Sequence, residues 1–255
     1  MKRFTLAVMF FVLPTVLLPA CHSTSESTAT LVQAAALSPD AVTADPARYS
    51  VLFENDVASL IRVKFAPGSK SVMHSHPASC VIFYKDSKFK MTAPAGEVQT
   101  SENHAGDVSC VDAYSHLPEN IGTGEAELIV LHLKGRKTFD HVQTGRSVPV
   151  PSQPNAPDPV AVDPSHYSVQ FENDAIRIIR IKVPGGVKSP MHAHHAYCIV
   201  EIRDMVTPTA DGNTTEVKAG DASCGDAMAH ASQNNAKTLN EAITIEFKNR
   251  DKFKS

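Results

Sequence analysis

At 255 residues the chain is long enough for two domains of ordinary size. It is 42% hydrophobic and 20% charged, with no tryptophan, a composition typical of a globular protein. Its 24 basic and 27 acidic side chains give a formal net charge of −3 with no basic stripe, which argues against nucleic acid as a partner, and no heptad pattern indicates a coiled coil.

The N-terminus reads as an address. Lys2 and Arg3 precede an almost unbroken apolar run from Phe4 to Leu18, followed by Leu18-Pro19-Ala20-Cys21. The run is too short for a comfortable membrane span and ends in a small residue, as signal peptides do. The cysteine at the cut resembles a bacterial lipobox, although Pro19 stands where a small residue is usual. That resemblance implies removal of residues 1–20 and a diacylglyceryl group on Cys21. The chain would then meet the membrane through its lipid anchor only, on the periplasmic side of the cell envelope. His22, rather than aspartate, follows Cys21, which points to the outer membrane. The alternative is an ordinary secretory signal with a chance cysteine. Residues 21–40, rich in Ser, Thr and Ala, read as a flexible tether.

An internal repeat organises the rest. Asp45-Pro46-Ala47-Arg48-Tyr49-Ser50-Val51-Leu52-Phe53-Glu54-Asn55-Asp56 matches Asp163-Pro164-Ser165-His166-Tyr167-Ser168-Val169-Gln170-Phe171-Glu172-Asn173-Asp174 at an offset of 118 residues. The offset becomes 114 by the point where Gly106-Asp107-Val108-Ser109-Cys110 pairs with Gly220-Asp221-Ala222-Ser223-Cys224. One unit is therefore duplicated, as residues 41–140 and 161–253. The intervening residues 141–160 hold Pro149, Pro151, Pro154, Pro157 and Pro159 and read as an extended linker. Each unit reads as all-β. Ser59–Phe65 and Ile176–Val183 are β-branched runs with partial alternation, and Pro67-Gly68, Gly185-Gly186 and Asp211-Gly212-Asn213 are turn signals. Short strands over about a hundred residues predict a small sandwich or jelly roll.

Six histidines carry the chemistry. Gly68 is followed after five residues by His74-Ser75-His76, and Gly186 after five by His192-Ala193-His194. Two residues at i and i+2 on a strand project from one face. Later in each unit Gly106-Asp107 leads to His116 and Asn120, and Gly220-Asp221 leads to His230 and Asn234. This pattern resembles the two motifs of the cupin family across both repeats. The resemblance implies two tandem cupin jelly-roll barrels, each with three histidines for one divalent metal ion: His74, His76 and His116 in the first, His192, His194 and His230 in the second. Iron is the first expectation, with zinc, copper, nickel or manganese as alternatives. The segments before His116 and His230 are one residue shorter than the usual cupin spacing.

Cupins commonly add a glutamate four or five residues after the histidine pair, where this chain has Cys80 and Cys198. Three neutral imidazoles leave a +2 ion its full charge, which favours a small anionic, chelating molecule. Some dioxygenase cupins, thiol dioxygenases among them, share the pattern, so a non-haem oxygenase is one expectation and a non-catalytic metal or small-ligand binding lipoprotein the other. The repeats also resemble small single-domain cupins associated with β-alanine degradation. Met73 and Met191 should face away from the histidines and pack in the core. His22, His104, His132, His141 and His166 carry no assigned role, while His195 should border the second site. Cys80, Cys110, Cys198 and Cys224 have two readings. An exported chain favours disulfides Cys80–Cys110 and Cys198–Cys224, whereas Cys80 and Cys198 could instead be thiols beside the metal. Oligomeric state is not legible.

Overall fold

The computed structural model describes residues 38–139, 156–209 and 211–253. The expected signal peptide, Cys21, most of the tether and most of the linker lie outside these residues. The first unit opens with a helical turn, α1 (Ala41–Ala44), followed by β1 (Tyr49–Glu54), β2 (Ala58–Phe65), β3 (His74–His76), β4 (Ser79–Phe83), β5 (Ser87–Thr92), β6 (Val98–Asn103), β7 (Val108–Val111), β8 (Tyr114–Asn120) and β9 (Ala126–Leu133). The second repeats the plan with α2 (Pro159–Val162), β10 (Tyr167–Glu172), β11 (Ile176–Val183), β12 (His192–His194), β13 (Tyr197–Glu201), β14 (Met205–Pro208), β15 (Thr214–Val217), β16 (Ala222–Gly225), β17 (Met228–His230) and β18 (Asn240–Phe247).

In each unit a five-stranded antiparallel sheet forms one wall, in the order β1-β2-β9-β4-β7 and β10-β11-β18-β13-β16. The other wall of unit one is a four-stranded sheet, β3-β8-β5-β6; in unit two it divides into β12-β17 and β14-β15. These are the two jelly-roll barrels expected. Ser38–Asp40, expected in the tether, belong structurally to barrel one: the Ser75 amide donates to Pro39 O (2.8 Å), and Asp40 caps α1 by accepting from the amides of Val42 and Thr43. Pro159, expected to end the linker, is the first residue of α2 and follows Asp158 as N-cap.

Strand alternation divides the large sheets into two faces. Ile61, Val63, Phe65, Leu128 and Val130 point into barrel one with Phe83 and Phe89. Leu60, Ile82, Ile129 and Leu131 point the other way, onto Ile178, Val200, Ile243 and Ile245 of barrel two. The long strands are apolar on both faces because both are buried: one fills a barrel and one seals the barrels together, which is why their alternation was only partial in sequence.

Cys80 and Cys198 are wholly buried on the sealing face. Each stands opposite its partner in an antiparallel ladder, Cys80↔Cys110 and Cys198↔Cys224, and both pairs are disulfides. The alternative of thiols beside the metal therefore fails, for a simple reason: four residues past the histidine pair the strand has turned that side chain outward.

Ion pairs ring the seam. Arg136 of the first repeat reaches Asp174 of the second (2.5 Å), and Arg250 of the second reaches Asp56 of the first (2.9 Å). Arg62 donates to Gly220 O (2.7 Å). Gly220 has φ +87°, and a Cβ there would sit 2.5 Å from the Tyr84 ring, so only glycine allows this approach.

Each disulfide closes a loop, with separations of 30 and 26 residues, and should contribute about 3 kcal/mol through the unfolded chain. The double variant Cys80→Ala/Cys110→Ala is expected to melt roughly 6–12 °C lower by calorimetry. An unchanged Tm would show that the unfolded chain gains nothing from the crosslink.

Candidate metal centres

In barrel one β3 pairs with β8 so that His74 lies opposite His116 and His76 opposite Tyr114; in barrel two β12 pairs with β17 so that His192 lies opposite His230. This register gathers each triad. One ligand atom from each of His74, His76 and His116, and likewise from His192, His194 and His230, lies within 4.8 Å of the others. His74 and His116 face each other through their Nε2 atoms at 3.1 Å.

The Nδ1 atoms are held from behind. His74 Nδ1 is 2.8 Å from Val72 O, and His192 Nδ1 is 2.8 Å from Pro190 O. A carbonyl only accepts, so these rings carry hydrogen on Nδ1 and a lone pair on Nε2. His76 Nε2, His192 Nε2 and His230 Nε2 are buried with no hydrogen-bond partner among the described residues. Buried polar atoms seldom go unsatisfied. Three such nitrogens aimed into triads are placed as metal ligands are, so the residues fit a divalent metal.

Burial favours the neutral, ligating form. It holds His116 at about 3 and His230 at about 4, and it lowers His74 and His192. His76 is pushed well below the usual range, first by burial and then by His132, His116 and His74.

The asparagines of the motif are clasps rather than ligands. Buried Asn120 donates from Nδ2 to Gly124 O (2.9 Å) and Phe65 O (3.2 Å), and its Oδ1 accepts from the Gly122 amide (2.9 Å). Asn234 repeats this with Thr238 O, Val183 O and the Ala236 amide. They tie the loop after the third histidine to the turn before the histidine pair.

Sequence reasoning missed a further layer. His132, given no role, faces into barrel one from β9 and meets His76: His76 Nδ1 is 2.7 Å from His132 Nε2. Its repeat partner is Glu246, whose Oε1 is 2.6 Å from His194 Nδ1. The 114-residue offset that pairs Cys110 with Cys224 also pairs these two, and that was the available signal. Each barrel also sets a tyrosine beside its second histidine, from unrelated positions. Tyr114 stacks on His76 with ring centroids 4.8 Å apart, and Tyr197 tilts against His194 at 5.7 Å. Burial raises both phenols, keeping the O–H as a donor.

One other expectation needs correction. Met191 is 53% exposed and Met73 only half-buried, so neither is a core residue: the short strands β3 and β12 turn that position outward, away from the barrel filling. His195 is buried just past the end of β12, directly after His194. His104 and His166 pair with Asp86 and Asp163, away from the triads; His22 and His141 lie outside the described residues.

The cavities differ. Barrel one has an inner pocket of about 60 Å³ walled by Val63, Phe83, Phe89 and Leu128, and a wider mouth of about 430 Å³ at Met91, Gln99, Asn103 and Ser109; Tyr114 and His116 line both. Barrel two has a cavity of about 160 Å³ with a lining more polar than that inner pocket: Ser232, Gln233, Asn240 and Thr244 beside His194 and His230. Glu201 occupies the place of Phe83 in the second repeat, and burial raises its carboxyl to about 7.

Two jelly-roll barrels sealed back to back, each with a histidine triad at matching strand positions, define a two-domain protein of the cupin fold. No protein-family model matches the chain, and no curated protein does. Solved structures do match. A salicylate 1,2-dioxygenase from Pseudaminobacter salicylatoxidans is 10% identical, covers 78% of this chain and 76% of its own, and has a TM-score of 0.51. A single-residue variant of the oxalate decarboxylase of Bacillus subtilis is 14% identical, with coverage of 82% and 74% and a TM-score of 0.49. A cupin 2 conserved barrel domain protein from Leptotrichia buccalis is 11% identical, with coverage of 78% and 88% and a TM-score of 0.47. At 10% identity the likeness to the dioxygenase, with a TM-score above 0.5, carries fold alone, and no argument rests on the other two.

The depressed histidines set a pH dependence. Below about 6.5 the unfolded chain protonates His116, His132 and His230 while the folded chain does not, so metal-free protein loses stability as pH falls from 6.5 toward 4. Glu201 acts oppositely, losing stability as pH rises from about 4.5 to 7, but it is one group against several. Denaturant midpoints of chelated protein between pH 4 and 7 should therefore rise with pH; a flat or falling series would show that the histidines titrate normally.

Proposed function

We propose that the chain is a metal-dependent bicupin anchored at the periplasmic side of the cell envelope by a lipid on Cys21, with a divalent ion in each triad and a small anionic molecule as its ligand. The observation that carries this reading is the set of buried, unpartnered Nε2 atoms converging in both barrels. Iron is the first choice, and non-haem oxygenase chemistry the first reaction. Bound there, the metal would supply Lewis acidity or oxygen activation.

The protein's own contribution is clearest in barrel one. Besides the histidines, the ionisable side chains of its inner pocket are Tyr49 and Tyr114 alone, so no protein cation there competes for an anion. A carboxylate or thiolate would find its countercharge at the triad, its apolar body against Val63, Phe83 and Phe89, and a donor in the Tyr114 hydroxyl. Tyr49 packs 4.9 Å from His74 and helps hold the ligand set in place. The apolar walls exclude water from the ligand's reacting end.

A second reading, a non-catalytic binder of metal or small anions, is favoured by the lack of a carboxylate in that inner pocket to take up protons. Only the first reading needs turnover.

The soluble chain from His22 onward, exported to a periplasm and purified without chelator, should carry about two ions, fewer in His74→Ala/His192→Ala. The iron-loaded form should consume oxygen with a member of a panel of thiols, hydroxy acids and salicylate. Metal binding without turnover across the panel would leave the binder; protein that refuses every ion would end the metal reading and leave only a binder of small molecules.

A further inference from the structure

The two triads are alike, but what stands behind them is not. In barrel two Glu246 is wholly buried and bonds on both sides. Its Oε1 accepts from His194 Nδ1 at 2.6 Å, and its Oε2 accepts from Arg177 Nη2 at 2.6 Å and Nε at 2.9 Å. Arg177 in turn pairs with Asp158 at 2.5 Å through Nη1. The chain Asp158–Arg177–Glu246 therefore places a net negative charge behind His194, all of it within or at the edge of the barrel wall. In barrel one the corresponding positions read Asp40, Ser59 and His132. Asp40 is exposed and caps α1, Ser59 carries no charge, and His132 presents a neutral ring nitrogen to His76.

These two arrangements affect an ion differently. A hydrogen bond to a carboxylate is roughly twice as strong as one to a neutral acceptor and makes the imidazole a better donor to metal. The carboxylate also attracts a +2 ion through a low-dielectric interior. A neutral imidazole acceptor orients His76 with neither benefit. Barrel two's cavity of about 160 Å³ has a more polar lining than the inner pocket of barrel one, about 60 Å³, beside which lies the wider, polar-lined mouth.

Resting on the proposed metal reading, we infer that the two centres are unequal: barrel two holds its ion tightly, and barrel one holds an exchangeable ion facing the apolar pocket. Glu246 and His132 are the positioning residues that set the difference. Removing a partner behind a metal-bound histidine typically lowers affinity 10- to 100-fold, which fixes the expected scale.

Zinc titration against a chelating indicator tests this without recourse to activity. The chain from His22 onward should show two classes of site, one ion each, separated at least 10-fold. His192→Ala should abolish the tight class and His74→Ala the weak one. Glu246→Gln should convert the tight class to a weak one, while His132→Gln should leave it intact. Since Glu246→Gln disturbs a buried ion pair, a transplant supplies the converse: Ser59→Arg/His132→Glu should tighten the weak class. Two equal sites, or a tight class that survives Glu246→Gln in folded protein, would overturn the inference while leaving the metal reading standing. No zinc bound by any form would overturn both.

Discussion

The structure depends on one constraint, the two-residue period of the strands in the large sheets. Each of β2, β4, β9, β11, β13 and β18 has buried residues on both faces, so most of its residues belong either to a barrel interior or to the seam between barrels, with Lys64 and Lys182 exposed near the strand ends. On β4, Cys80 and Ile82 serve the seam while Val81 and Phe83 serve the cavity. On β9, Leu131 is in the seam and His132 is one residue on, behind His76. A shift of one residue would exchange these faces, placing apolar groups at the histidine triads and polar ones in the seam. The cross-strand disulfides lie on the strands where that register matters most.

The site inherits its rigidity from this arrangement. The histidine-pair strands β3 and β12 are only three residues long and would place their rings poorly alone. They are fixed by β8 and β17 on one side, by the segments at Pro39 and Pro157 on the other, and by carbonyls behind the first histidine of each pair. The second histidine of each pair is held from the long, doubly buried strand, by His132 or Glu246. The triads are thus mounted partly on the stiffest strands of each barrel, without any of the six ligands belonging to those strands.

Much of this was legible in sequence, for a physical reason in each case. The duplicated segments and their turn residues marked two similar all-β units, and histidines two apart on a strand had to share a face. The extent of β11 could be read directly, because a run such as Ile176–Val183 has few other stable fates. Other features were hidden. His132 and Glu246 sit inside apolar strands with no motif around them, and only the ladder of β9 and β18 brings them to the triads. Arg177 reads as an ordinary strand residue until its partners Glu246 and Asp158, one distant along the chain and one in the expected linker, are placed around it. Met191 was misjudged because facing away from the histidines was equated with facing a core, whereas a short strand on the outer wall faces solvent there.

The crossed ion pairs at the seam have one more implication. Arg136 reaches Asp174 and Arg250 reaches Asp56, so each barrel gives to the other what it receives. Such reciprocity is the signature of an isologous contact, the kind two identical subunits make across a two-fold axis. Here both halves belong to one chain. In a homodimer any substitution is made twice, and the two centres must remain the same. Covalent tandem linkage removes that symmetry while keeping the contact it produced, so one half can be altered while the other is conserved, as the difference between His132 and Glu246 illustrates.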